Sequence, residues 1–339
     1  MTAIDSGIDT LAPVAGLAVT LADGVLSVTI DRAESLNSLT LPVLAGIADA
    51  MEQAANDPRV NVVRLGGAGR GFCSGAGMSA DDLAGAGPGD DLILAANRAV
   101  RAIATLPRPV VAVVQGPAAG VGVSLALACD LVLASETAFF MLAFTKIGLM
   151  PDGGASALIA AAIGRIRAMR MALLAERLPA ADALACGLVT AVYPADDFDA
   201  EVNKVVSGLL NGPAVAFAKT KHAINAATLT ELEAALQREL EGQSVLLKSH
   251  DFREGATAFQ QRRTANFTDS CASNSFGSQT EQRGQRKQHD QGPYEVGQDR
   301  RQHPARGAAL ECAHCPEEDR GEAEHQIPAG QRRGHVHHG

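Results

Sequence analysis

The chain has 339 residues, a formal net charge of −9, a hydrophobic share of 47%, few aromatics and no tryptophan. Such a composition builds its core from Ala, Val and Leu, and with no basic face it excludes nucleic acid as a general partner. Asp5 and Asp9 stand where a basic, apolar leader would be, so residues 1–15 read as a loose lead-in to a cytoplasmic protein with no signal peptide. Residues 17–21 and 25–30 flank Ala22-Asp23-Gly24 and predict a β-hairpin. Thr40 is placed to cap a helix reaching about Asn56, with Leu41, Leu44, Ile47, Ala48 and Met51 at helical spacing. Residues 60–65 form a β-rich run that ends in a glycine-rich turn over 66–77. Residues 81–91, rich in Gly, Ala and Asp, predict a mobile loop. A helix over 92–106 follows, stopped by Pro107-Arg108-Pro109.

The stretch 109–154 organises the rest. It carries no charge from Pro109 to Cys129, long enough to raise a membrane-helix reading. Its internal order opposes that reading. Residues 110–114 are a buried β-strand, Gln115-Gly116-Pro117 breaks the chain, Gly120-Val121-Gly122 opens an apolar helix over 123–128, and 131–134 is a second buried strand. Strand, glycine turn, helix, strand is the grammar of an α/β protein, with no membrane span. A glycine turn that opens a helix points unpaired N–H groups outward. The turn over 66–77 and the turn at 120–122 could each offer one N–H to a shared oxyanion.

After Gly154 helices dominate: 155–163, 166–175, 180–186, 196–210, 214–227, 230–247 and a last amphipathic one over 252–263, with a short strand at 189–193. Cys73, Cys129 and Cys186 sit in apolar contexts and read as buried, reduced thiols. Beyond Ser270 the composition turns to Gln, Arg, Gly, His and Glu, without apolar clusters, and predicts a disordered tail over 271–339, with the composition of an extension read in a shifted frame. Within it Cys312, His314, Cys315 and His325 resemble zinc ligands. They lack a second spaced pair and an apolar framework, so no metal site is expected.

Several motifs, in order, resemble the crotonase superfamily, also called the enoyl-CoA hydratase/isomerase family. They are Asp31-Arg32-Ala33-Glu34-Ser35-Leu36-Asn37-Ser38, Gly69-Arg70-Gly71-Phe72-Cys73-Ser74-Gly75-Ala76, the run from Gly116 to Asp130, the run from Ala143 to Gly154, and Arg253-Glu254-Gly255 with Phe259 and Arg262-Arg263. The resemblance spans about residues 15–270. It implies a spiral of β-β-α repeats with a C-terminal helical region: a core over 16–200, an oligomerisation region over 201–270, and a homotrimer or a dimer of trimers. It also implies an acyl-CoA thioester substrate, with no added cofactor.

The family holds the thioester carbonyl between two backbone N–H groups while enolate charge develops on its oxygen. By motif position these are the amides of Ala76 and Val121, with Gly75, Gly120, Gly122, Ser124, Phe144, Phe259 and Arg262 around substrate and CoA. Ser79 stands where a nearby basic residue helps bind CoA. A hydratase of this family uses two glutamates, and the corresponding positions read Ser124 and Phe144, which cannot exchange a proton at neutral pH. Asp152 remains, where some isomerases of the family carry their acid/base. The run 143–152 looks most like the isomerase of phenylacetate breakdown. Asp152 before Gly153-Gly154 is equally placed to N-cap the following helix. The expectation is enoyl-CoA double-bond isomerisation, with hydration or non-catalytic acyl-CoA binding as alternatives.

Overall fold

A computed structural model describes residues 7–79, 81–82, 85 and 90–269; the tail with its Cys312–Cys315 motif and most of the loop expected at 81–91 lie outside them. The described residues all belong to one compact unit, which ends at Cys271. Its larger sheet has six strands. Strands β1 (Leu17–Ala22) and β2 (Val25–Ile30) form the expected antiparallel hairpin. Strands β3 (Val62–Gly67), β4 (Val110–Val114), β6 (Leu131–Ser135) and β9 (Ala191–Tyr193) then add in parallel. Parallel strands are covered on both faces, which is why β4 reads Val-Val-Ala-Val-Val without alternation.

A second sheet, too short to signal itself in the sequence, joins β5 (Ala118–Ala119), β7 (Phe139–Met141) and β8 (Leu178–Pro179). The helices in chain order are α1 (Leu41–Asn56), α2 (Asp91–Thr105), α3 (Val121–Ala128), α4 (Ala155–Ile163), α5 (Arg165–Leu174), α6 (Ala180–Ala185), α7 (Phe198–Leu210), α8 (Ala214–Thr228), α9 (Leu232–Leu246) and α10 (His250–Gln260). Helices α1, α2 and α3 bury Leu44, Ile47, Met51, Val100, Ile103 and Leu125 in the main core. On the other face of the sheet Phe198, Val202 and Val206 of α7 cover Val62, Val111, Val113 and Leu133.

Two expectations are refined. The lead-in is not loose throughout: Ile8 is buried, and its amide donates to Asp57 Oδ2 at 3.1 Å. The apolar helix begins at Val121 rather than Val123, because Gly120 at φ +55° turns the chain directly into it. Among the described residues no helix is long and apolar enough to cross a membrane. Cys73 and Cys129 are buried free thiols, and burial pushes the Cys73 thiol up to about 12; Cys186 is half-buried.

Candidate active site

The two glycine turns meet. Cys73 bridges Ala118 in parallel, with Ala119 N–H donating to Cys73 O at 2.8 Å and Cys73 N–H to Pro117 O at 3.1 Å. Gly75, at φ +90°, packs backbone to backbone: a Cβ on it would lie 3.0 Å from Ala119 O and 3.4 Å from Gly120 Cα. Gly122 is equally tight, for a Cβ there would meet Cys73 Sγ at 2.8 Å. Side chains at these positions would hold the turns apart, which is the physical reason for glycine at each.

The first turn is hung from the 36–39 segment. Leu39 N–H donates to Gly75 O at 2.8 Å and Gly77 N–H to Leu39 O at 2.9 Å. Successive amides of an extended segment face opposite edges, so the Ala76 N–H faces away from Leu39. Asn37, in the left-handed region, ties the same turn with Nδ2 donating to Ala68 O and Gly71 O at 2.8 and 2.7 Å. Val121 is the first residue of α3, so its N–H has no partner within the helix. No hydrogen bond from the Ala76 or Val121 amide is made to another described residue. Val121 Cγ2 lies against Gly153, 3.0 Å from where a Cβ there would be.

Asp152 stands beside this pair. Ser124, fully buried on α3, donates its hydroxyl to the Asp152 carbonyl at 2.8 Å. Phe144, 8% exposed, brings its ring to 3.8 Å from the Cβ position of Gly120. Asp152 does not cap α4. The N-cap is Gly154, and the acceptor at that helix end is Glu239 of α9, which takes the Gly154 N–H at 2.6 Å and the Ser156 N–H at 2.8 Å. Two successive left-handed glycines, Gly153 and Gly154, turn the chain past the point where the Asp152 side chain could reach those amides. The Asp152 carboxylate accepts instead from Gln243 Nε2 at 2.8 Å. Burial raises its pKa from 3.8 to about 7, with Gln243's donation opposing and the Glu239 charge adding to the rise. Glu239 is itself 1% exposed and raised by burial, against the hydrogen bonds from Ser156 and Gly154.

Glu239 and Gln243 were missed in the sequence. They are polar residues four apart on an otherwise amphipathic helix, and that spacing was the available signal. Phe259, 60% exposed, and Arg262, with φ +54°, sit at the end of α10. That end reaches the first turn of its own chain, where Gln260 Nε2 donates to Met78 O at 3.1 Å. Ser79 donates to Asp82 Oδ2 at 2.8 Å, and Asp82 pairs with Arg32.

A surface cavity of about 280 Å³, lined by Ile163, Arg167, Arg170, Met171, Arg177 and Cys186 among others, contains none of these groups. Among the described residues His250, Asp251 and Asp269 gather their polar atoms, but the two aspartates are engaged in capping each other's amides.

Residues 20–270 match the family model described as enoyl-CoA hydratase/isomerase. The chain is 36% identical over 249 residues to the 1,2-epoxyphenylacetyl-CoA isomerase of Escherichia coli (strain K12), covering 72% of this chain and 95% of that protein. It is 39% identical over 250 residues to a probable enoyl-CoA hydratase of Rhodobacter capsulatus, covering 73% and 96%. A crystal structure of an enoyl-CoA hydratase from Mycobacterium avium subsp. paratuberculosis superposes with a TM-score of 0.72 at 77% identity, over 76% of this chain and all of that one.

Proposed function

Because the chain belongs to the enoyl-CoA hydratase/isomerase family of acyl-CoA enzymes, we propose that it moves a double bond along an enoyl-CoA. In this reading the thioester oxygen sits between the amides of Ala76 and Val121. Asp152 takes a proton from C2, the dienolate charge rests on the thioester oxygen, and Asp152 returns the proton at C4. Donors fixed in place before the charge appears act most strongly in the transition state.

One observation carries the choice of isomerisation: the carboxyl group of Asp152, whose backbone packs on Ser124 of α3, has its pKa raised to about 7 and is free of the capping duty that Glu239 performs. An acid/base that must accept and return the same proton works best near the operating pH. Hydration needs a second uncommitted carboxylate. The two positions where the family's hydratases carry glutamate hold Ser124 and Phe144, and Glu239 has its oxygens occupied by Gly154 and Ser156.

Oligomerisation through the helical region belongs to the same proposal, supported by exposed apolar side chains such as Val215, Ile224 and Val245, 76%, 55% and 70% exposed. In the same reading Phe259 and Arg262 meet the CoA moiety bound by a neighbouring subunit.

Product analysis with purified protein tests the reaction. Given a 3-enoyl-CoA, it is expected to form the 2-enoyl-CoA without taking up water. Formation of 3-hydroxyacyl-CoA from 2-enoyl-CoA as the sole reaction would establish the hydratase reading. Tight binding without turnover would establish the non-catalytic one.

A further inference from the structure

Residues 150–156 are gripped by two buried side chains of α9, Glu239 and Gln243, each 1% exposed and one turn apart on the same helix face. Gly242 lets the helix lie this close, since a Cβ there would collide with Met150 Sδ. Glu239 holds the Gly154 and Ser156 amides. Gln243 holds the other end: its Oε1 accepts the Met150 N–H at 3.2 Å, and its Nε2 donates to Asp152 Oδ2 at 2.8 Å.

The Gln243 amide therefore has one orientation. A backbone N–H can only donate, so the end facing Met150 is the oxygen, and the end facing Asp152 is the NH2 group. A flipped amide would set N–H against N–H and oxygen against carboxylate, both half-buried and unpaired.

We propose that Gln243 is a positioning residue for Asp152: keyed by the Met150 amide, it occupies Oδ2 and leaves Oδ1 as the oxygen that takes and returns the substrate proton. The inference rests on the reading of Asp152 as the acid/base. A proton on Oδ2 would displace the Gln243 hydrogen bond, whereas a proton on Oδ1 leaves it in place, so the carboxyl group stays oriented through the whole cycle. The neighbouring groups fit this role. Among the described residues Glu239 is the charged group acting on Asp152 from α9, while Ser124 of α3 donates to the Asp152 backbone carbonyl and Ser156 of α4 donates to Glu239. Burial and the Glu239 charge favour the protonated acid, while Gln243's donation favours the ionised form.

An infrared difference titration of the full chain tests this without relying on turnover. The protonated-carboxyl stretch that is lost in Asp152→Asn reports Asp152 alone. Gln243→Met is expected to raise its midpoint by about one pH unit, as loss of one charge-assisted hydrogen bond requires. Glu239→Gln is expected to lower it. The acidic limb of kcat for a 3-enoyl-CoA moves the same way in each variant, which a general loosening of α9 would not produce. A Gln243→Met midpoint equal to that of the unaltered protein overturns the proposal. Should that variant not fold, Gln243→Asn keeps a neutral amide but is one methylene too short to span Met150 and Asp152; its midpoint has to rise, and an unmoved one is equally fatal. Loss of turnover in Asp152→Asn with no midpoint change in Gln243→Met ends the positioning role alone. Full turnover in Asp152→Asn ends the acid/base reading and this inference with it.

Discussion

Helix α3 has an aspartate near each end, and the two are held in opposite ways. Asp130, just past its last turn, accepts from the Val110 N–H at 2.8 Å and from Lys221 Nζ at 3.0 Å. Lys221 also donates to Ile103 O of α2 at 2.9 Å, so the cation ties Asp130 to the last turns of α2. Asp152, beside the first turn, receives a neutral amide from Gln243 and faces a second carboxylate on Glu239. Burial raises both pKa values, but at Asp130 the first opposing influence is the Lys221 charge, whereas at Asp152 it is only a neutral hydrogen bond. An ion pair commits a carboxylate to its charge. A buried carboxylate without a cation stays able to gain and lose a proton.

The same substitution at both ends gives the sharpest separation. Asp152→Asn is nearly isosteric and cannot shuttle a proton, so isomerase turnover should fall at least about a hundredfold, the lower worth of a positioned acid or base. Acyl-CoA binding should persist, because the proposed oxygen-binding donors are backbone amides. Asp130→Asn should keep its turnover. Steady-state kinetics with a 3-enoyl-CoA and calorimetric binding decide it, and equal losses at the two positions would erase the distinction.

Stability should separate them by sign. Asp152 has a folded pKa of about 7 against an ordinary value of 3.8, so between those pH values the native state holds a proton that the unfolded chain releases. Stability is therefore lost as pH rises through this window, by at most about 4 kcal/mol. Asp152→Asn removes that loss, and relative to the unaltered protein it should become more stable between pH 4 and pH 8. Asp130→Asn leaves Lys221, its side chain 8% exposed, without its counter-charge and should cost about 1–3 kcal/mol at pH 8. Urea denaturation at fixed protein concentration across this range measures both. Parallel stability curves for Asp152→Asn and the unaltered protein would show that the carboxyl is not poised.

The contrast also marks what could be read from residues alone. The paired turns were legible because their signal is local: glycines at 75, 120 and 122 after apolar strands describe backbone that approaches backbone, and each glycine explains itself within a few positions. The state of Asp152 was not legible. Its neighbours Glu239 and Gln243 come from α9, with Gln243 91 residues away along the chain. Spacing could place those two on one helix face, but nothing in the helix names the segment it docks on. Reading Asp152 as an N-cap failed for the same reason, since a buried carboxylate from α9 had taken the acceptor position. The second sheet escaped notice because strands of two or three residues have no period to detect.

The smallest effect concerns the hydroxyl between the two aspartates. Ser124 stands where the family's hydratases carry a glutamate, and its Oγ donates to the Asp152 carbonyl rather than to the carboxylate. If its work is to hold the backbone at 152, Ser124→Ala removes one buried donor and leaves a space the size of a hydroxyl. The Asp152 carbonyl keeps a second donor, the Ala155 N–H at 3.2 Å, so it is not left unpaired. The expected cost is about 1 kcal/mol, the net worth of one neutral hydrogen bond. Turnover and its pH dependence should follow the unaltered protein, because neither Oδ atom of Asp152 depends on Ser124. A shifted acidic limb in the kcat profile of Ser124→Ala would show instead that the hydroxyl reaches the reacting proton, and the division of labour between α3 and α9 would have to be redrawn.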